Sequence, residues 1–144
     1  MQTSLRTHTK KTEAPNRIFH HIKGDTPGST VVFFAGIHGN EYAGVKALNN
    51  ALRTIDPKQV KGEIFGVYGN IKALEQGKRF ISSDLNRMWT TEKLNDLAHR
   101  TQLNHEESEQ LELYSFIEQL LNNRIEPLYF IDLHTTSSKT LPFI

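Results

Sequence analysis

Thr30, Val31, Val32, Phe33 and Phe34 are all β-branched or aromatic. A run of this kind leaves no face for water, so it reads as a strand buried on both sides, the central strand of an α/β sheet. The residues after it fix its surroundings. Ala35 and Gly36 end the run, Ile37-His38-Gly39-Asn40-Glu41 makes a turn, and from Tyr42 the apolar residues fall at Val45, Leu48, Leu52 and Ile55. That spacing predicts a helix lying back on the sheet, closing near Asp56 and Pro57. His38 and Glu41 then stand at the carboxyl end of a central strand, where open α/β sheets hold their ligands. Three residues apart at a helix start, they can point the same way.

The rest of the chain extends this unit. Residues 62–70 (GEIFGVYGN) read as a second strand, and strand, helix, strand makes a right-handed parallel crossover the default. Arg17 to Lys23 (RIFHHIK) reads as an edge strand, with Gly24, Asp25, Pro27 and Gly28 turning into the central one. His20 and His21 are adjacent, so they face opposite sides of that strand as surface residues. Ile71–Gln76 predicts a short helix ended by Gly77. Residues 78–89 (KRFISSDLNRMW) mix basic, polar and aromatic residues without periodicity and read as a functional loop; 90–105 is a weakly patterned connection or short helix. Over 106–123, Leu111, Tyr114, Ile117 and Leu121, joined by Leu113, Phe116 and Leu120, predict an amphipathic helix whose early acids suit the helix dipole. Leu128–Leu133 (LYFIDL) reads as another buried strand, ending at His134. Residues 1–16 read as a flexible polar lead-in and 17–144 as one core. The apolar Leu141, Pro142, Phe143 and Ile144 read as the opening of a further element, in a chain cut short.

There is no cysteine, so metal ligands must be His, Asp or Glu, and a cytoplasmic location fits. A net charge of +1, from 17 basic and 16 acidic residues, gives no electrostatic case for nucleic acid or an anionic membrane. No apolar run approaches a membrane span. His38, Glu41 and His134 form a two-His, one-carboxylate set, the kind that holds catalytic zinc and leaves a fourth position for water. Asp132, two residues before His134 on a strand, shares its face; it either holds the imidazole or satisfies nearby backbone groups. Gly36 and Gly39 serve the turn in any case. On their own, Arg79 and Arg87 read as solvated loop charges.

Gly-Ile-His-Gly-Asn-Glu at 36–41, Arg-Phe-Ile-Ser-Ser-Asp-Leu-Asn-Arg at 79–87 and Ile-Asp-Leu-His-Thr-Thr at 131–136 together resemble the succinylglutamate desuccinylase/aspartoacylase family, relatives of the zinc carboxypeptidases. The resemblance runs from about residue 30 to residue 138. It implies a three-layer α/β/α fold with a mixed, largely parallel sheet of the zinc carboxypeptidase type, truncated at its C-terminus. It implies one Zn2+ per chain on His38, Glu41 and His134, with Asn86 and Arg87 holding the substrate carboxylate and Arg79 polarising the scissile carbonyl as a catalytic group. The activity implied is zinc-dependent hydrolysis of the amide bond of a small N-acyl amino acid. Asp84 orients an arginine or caps the loop. The family's general-base glutamate lies well downstream of the third ligand, beyond residue 144, and Glu63, Glu75 and Glu92 match no motif; this chain alone is therefore expected to be nearly inactive. Two other readings share the ligands: a zinc carboxypeptidase-type peptidase, and a non-catalytic zinc-binding module with a closed fourth position. Strands missing from the sheet would leave an open edge and favour self-association.

Overall fold

The computed structural model describes residues 17–97, 99–123 and 125–135. The lead-in at 1–16 and the apolar segment at 141–144 lie outside the described residues, as do Thr136, Ser137 and Ser138. Four strands form one sheet in the order β1-β3-β2-β4. They are β1 (Ile18–Lys23), β2 (Thr26–Ala35), β3 (Lys61–Tyr68) and β4 (Leu128–Leu133). β2 pairs in parallel with both β3 and β4, while β1 runs antiparallel on the outside of β3. Helices α1 (Tyr42–Leu52) and α2 (Ile71–Gln76) flank β3, and α3 (Thr91–Leu97) and α4 (His105–Asn123) lead into β4.

Alternation along β2 divides the interior in two. Val32 and Phe34 face a cluster with Ile37, Phe65, Val67, Leu85, Met88 and Leu113, completed by Phe116, Ile117 and Leu120 of α4. Phe33 and Ala35 face the opposite way, toward Val45, Leu48 and Leu52 of α1 and Leu74 of α2. The fold is therefore α/β, with a mixed sheet between helices. Val32, Ala35 and Val67 are fully buried, as expected of strands covered on both faces.

Three sequence expectations change. Pro27 and Gly28 do not form the turn before β2 but lie inside it, where the pairing with β3 is irregular between Thr26 and Thr30; a strand tolerates proline at such a break in the ladder. β4 is not buried: Tyr129, Phe130 and Ile131 are all substantially exposed. It pairs only with β2 among the described residues, so its apolar composition reflects faces and an edge that none of them covers. In α4, Tyr114 and Leu121 lie outside the core, and the buried stripe continues from Leu113 back through Gln110 and Glu106, which are polar. Residues 91–97 form the short helix that the weak pattern allowed. No helix among the described residues is long and apolar enough to cross a membrane.

Candidate metal centre and substrate loop

The turn from β2 into α1 is built by glycine and by a helix start that gives up its cap. Gly36 has φ +74°, and a side chain there would also run into Leu74. Glu41 occupies the N-cap position of α1, yet its side chain makes no capping bond. Its carboxylate turns inward: Oε1 lies 3.0 Å from His38 Nδ1 and Oε2 accepts from the Thr135 N–H at 3.0 Å. A cap typically contributes about 1 kcal/mol. Forgoing it is the kind of local cost that marks a functional position.

His134 reaches the same point from the end of β4. The pairing of Phe34 with Asp132 and Ala35 with Leu133 brings the two strand ends level. His134 Nε2 then lies 3.0 Å from His38 Nδ1, with the rings edge to face. One ligand atom from each of His38, Glu41 and His134 falls within a group no more than 4.8 Å across, and these residues could hold a metal ion. His38 and Glu41 are buried, while His134 faces the open side.

The outer nitrogens explain why a cation fits. His38 Nε2 lies 2.9 Å from Asp84 Oδ1, and His134 Nδ1 lies 2.9 Å from Asp132 Oδ2. Ionised carboxylates only accept, so each of these ring nitrogens carries the hydrogen. In the neutral form that a metal ligand requires, the lone pairs of His38 Nδ1 and His134 Nε2 face each other and the carboxylate of Glu41. Three acceptors at this spacing repel one another unless a cation lies among them. Ligands held tetrahedrally at about 2.1 Å from zinc would lie about 3.4 Å apart, within the observed range. The carboxylate behind each histidine is the arrangement that orients metal-binding imidazoles. Asp132 thus holds an imidazole.

Asp84 links this centre to the loop. Besides His38, its Oδ1 accepts from the Asn86 N–H at 3.0 Å, and Oδ2 lies 3.4 Å from Arg79 Nη2. It therefore caps the short 3-10 turn Leu85–Arg87 and meets an arginine, both roles left open by sequence, and touches the first histidine as well. Partial burial acts to raise its carboxyl, but the bonds from His38 and Asn86 and the charge of Arg79 hold it below the ordinary aspartate value. Desolvation first, then the charge of Glu41, pushes Asp132 up against the lowering pull of His134. Asn86 lines a largely apolar cavity of about 220 Å³ with Ile37, Trp89 and Asp132, while Arg87 is exposed on the same turn. His20 and His21 do not join the centre; they meet Asn49 and Glu63 respectively.

Glu106 is the residue that sequence reasoning missed. Fully buried at the start of α4, it accepts from the N–H groups of Ile81, Ser82 and Ser83 and from Asn70 Nδ2. The signal was its register: Glu106, Gln110, Leu113 and Ile117 continue one helical stripe. Burial acts to raise its carboxyl, yet the four donors bring it below the ordinary glutamate value. A depressed folded value means that its contribution to stability is complete above the unfolded value of about 4.3 and is lost as pH falls through the folded one. Thermal melting followed from neutral pH to below about pH 4 should show this loss. Replacement by glutamine should remove that component of the pH dependence.

Residues 27–144 match the succinylglutamate desuccinylase/aspartoacylase catalytic domain. A probable aspartoacylase from Trichodesmium erythraeum is 34% identical over 108 residues, covering 72% of this chain and 34% of that protein. A succinylglutamate desuccinylase from Serratia proteamaculans is 39% identical over 61 residues, 41% of this chain and 19% of its own length. The chain thus spans about a third or less of the curated relatives it matches. Among solved structures, the succinylglutamate desuccinylase from Chromobacterium violaceum superposes with a TM-score of 0.65 at 24% identity, over 79% of this chain and 35% of that one. The product-bound ectoine utilization protein EutE (DoeB) from Ruegeria pomeroyi gives 0.59 at 24% identity, over 80% and 32%. At this identity the structures establish a shared fold. The match of the catalytic-domain model to more than half of the residues makes this chain a member of the succinylglutamate desuccinylase/aspartoacylase family.

Proposed function

We propose that the chain is the N-terminal portion of a zinc-dependent hydrolase that cleaves the amide bond of an N-acyl amino acid, with His38, Glu41 and His134 as its metal ligands. The observation that carries this reading is the set of three converging acceptors, with a carboxylate behind each histidine. When bound, zinc supplies a water activated near neutral pH and a Lewis acid for the acyl carbonyl. The chain's own groups do the rest of the positioning. Arg79 donates to the carbonyl oxygen as charge builds on it, from a guanidinium already oriented by Asp84. Asn86 and Arg87 hold the substrate carboxylate, for which the guanidinium fork is suited. No described glutamate is offered as the general base; that group is proposed to lie beyond residue 144, so the isolated chain should bind metal but turn over poorly.

The test is release of free amino acid from N-succinylglutamate, N-acetylaspartate and a set of dipeptides. It uses zinc-loaded protein that includes this chain and the proposed base. Cleavage of the acylated amino acids with the dipeptides untouched is expected. Turnover of the dipeptides instead would assign a peptidase, and zinc binding without any turnover would assign a non-catalytic module. A second expectation concerns the support of His134. Asp132→Asn should weaken zinc binding by about ten- to a hundredfold, measured by chelator competition, because an amide can present its NH2 to Nδ1 and favour the wrong tautomer. Unchanged affinity would leave Asp132 no part in the site.

A further inference from the structure

Glu106 carries a charge into the interior without meeting a cation among the described residues. Its side chain is on α4, yet its partners all belong to the active-site side of the molecule. Oε1 accepts from the Ile81 N–H at 2.6 Å and Asn70 Nδ2 at 3.0 Å; Oε2 accepts from the Ser82 N–H at 2.9 Å and the Ser83 N–H at 3.2 Å. Three successive backbone N–H groups converging on one anion form a nest of the kind that binds phosphate in other proteins. Here the anion is built into the fold. A buried carboxylate is costly unless its lone pairs are taken by donors, and all of these donors are neutral.

The segment it holds lies between Arg79 and Asp84, and its ends are tied to the metal turn. The Gly39 N–H donates to the Arg79 carbonyl at 3.2 Å, and Asp84 meets His38. Asn70, the fourth donor, makes a further link: its own N–H donates to the Gly36 carbonyl at 2.9 Å, and its side-chain oxygen caps α2. One carboxylate therefore joins α4, the substrate loop and the strand-to-helix turn that carries two of the three ligands.

We propose that Glu106 is a positioning residue for substrate recognition: acting through the backbone of 81–83, it sets Arg79, Asn86 and Arg87 at the height of the metal centre. This rests on the reading of 79–87 as the substrate loop. A glutamine in its place keeps the volume but turns an NH2 group toward backbone donors, so the nest loses an acceptor and gains a repulsion. The histidines and Glu41 stand on other elements, and the nest reaches their turn indirectly, through Asp84, the Arg79 carbonyl and Asn70. Ligand capture should therefore fail before metal binding does.

The experiment follows hydrogen–deuterium exchange of the parent chain and Glu106→Gln, with calorimetric titration of zinc and then of N-acetylaspartate. In the variant, the amides of 81–83 should exchange about tenfold faster or more, with β2 and β3 protected as in the parent. Zinc affinity should stay within about threefold, while N-acetylaspartate affinity falls by more than about tenfold. Unchanged protection at 81–83 overturns the proposal, and so does equal loss of protection through β2 and β3, which would make Glu106 a general stabiliser. A fall in zinc affinity equal to that of the ligand also overturns it. Should Glu106→Gln fail to fold, Glu106→Asp, a carboxylate one methylene too short for the nest, gives the same reading. A parent chain that takes up no zinc or no ligand would count against the proposed function, and the exchange result alone would then decide the role of Glu106.

Discussion

Zinc bound by the parent chain at about one ion per molecule should be lost in both His38→Ala and His134→Ala, with affinity falling by more than about a hundredfold. Loss of a carboxylate behind a ligand typically costs ten- to a hundredfold, and loss of the ligand itself costs more. The two variants should differ without metal. His38 is 1% exposed and joins Asp84 to Glu41. Its removal opens a gap and strips the His38 Nε2–H donor from the Asp84 carboxylate, at about 2 kcal/mol or more. His134 is on the open side, and its removal should scarcely change the melting temperature of the metal-free chain. Added zinc at about a hundred times its dissociation constant should stabilise the parent by about 2.7 kcal/mol, because only the folded chain brings strand ends 96 residues apart together. Neither variant should gain that increment. Elemental analysis and thermal melts with and without zinc check both halves. A His134→Ala chain that still melts higher with zinc would place the ion elsewhere.

The parts of this molecule legible in the sequence are those where one periodic signal has one cause. β2 announced itself by TVVFF, α2 by its length and Gly77, and β4 by LYFIDL, whose bounds agree with the structure. The convergence of His38, Glu41 and His134 was legible for a different reason. Each half sits where a strand pattern stops, so adjacent parallel strands bring the halves level. The burial of α4 could not be read in the same way, because its first turns bury glutamate and glutamine, whereas the acids there read as partners of the helix dipole and the apolar stripe starts only at Leu111. Glu106 is tolerated inside only because three loop amides point at it, and that loop has no periodicity to reveal it. Asp84 illustrates the same difficulty. Its contact with His38 joins residues 46 apart through a loop, a separation at which spacing carries no information. β4 failed in the opposite direction: its residues are apolar enough for a buried strand, while Tyr129, Phe130 and Ile131 stand exposed.

Gly39→Ala should be the most damaging single-methyl change in the turn from β2 into α1. Gly39 packs against the backbone of α2, and a Cβ there would lie 2.0 Å from the Ala73 carbonyl carbon and 2.4 Å from the Leu74 nitrogen. Those are main-chain atoms, so no rotamer change relieves the contact. Either α2 or the turn must move. α2 is poorly placed to yield: Asn70 caps its start, Ala73 and Leu74 are buried, and Leu74 packs beside Gly36. Overpacking of this kind typically costs about 1–3 kcal/mol, and contact with backbone puts this site at the upper end. For a chain of this size, about 3 kcal/mol corresponds to a fall in melting temperature of roughly 10 °C. With α2 held in this way, the strain should appear in the turn, between the candidate ligands His38 and Glu41. Shifting His38 relative to Glu41 by even about 1 Å is enough to spoil a metal site built on preorganised donors. Zinc affinity should therefore fall by more than tenfold even at temperatures where the variant remains folded, a split that simple destabilisation does not produce. Zinc titration of the folded variant at low temperature, compared with the parent, checks it. Parental affinity in a chain that melts lower would show that α2 had moved and the turn had held.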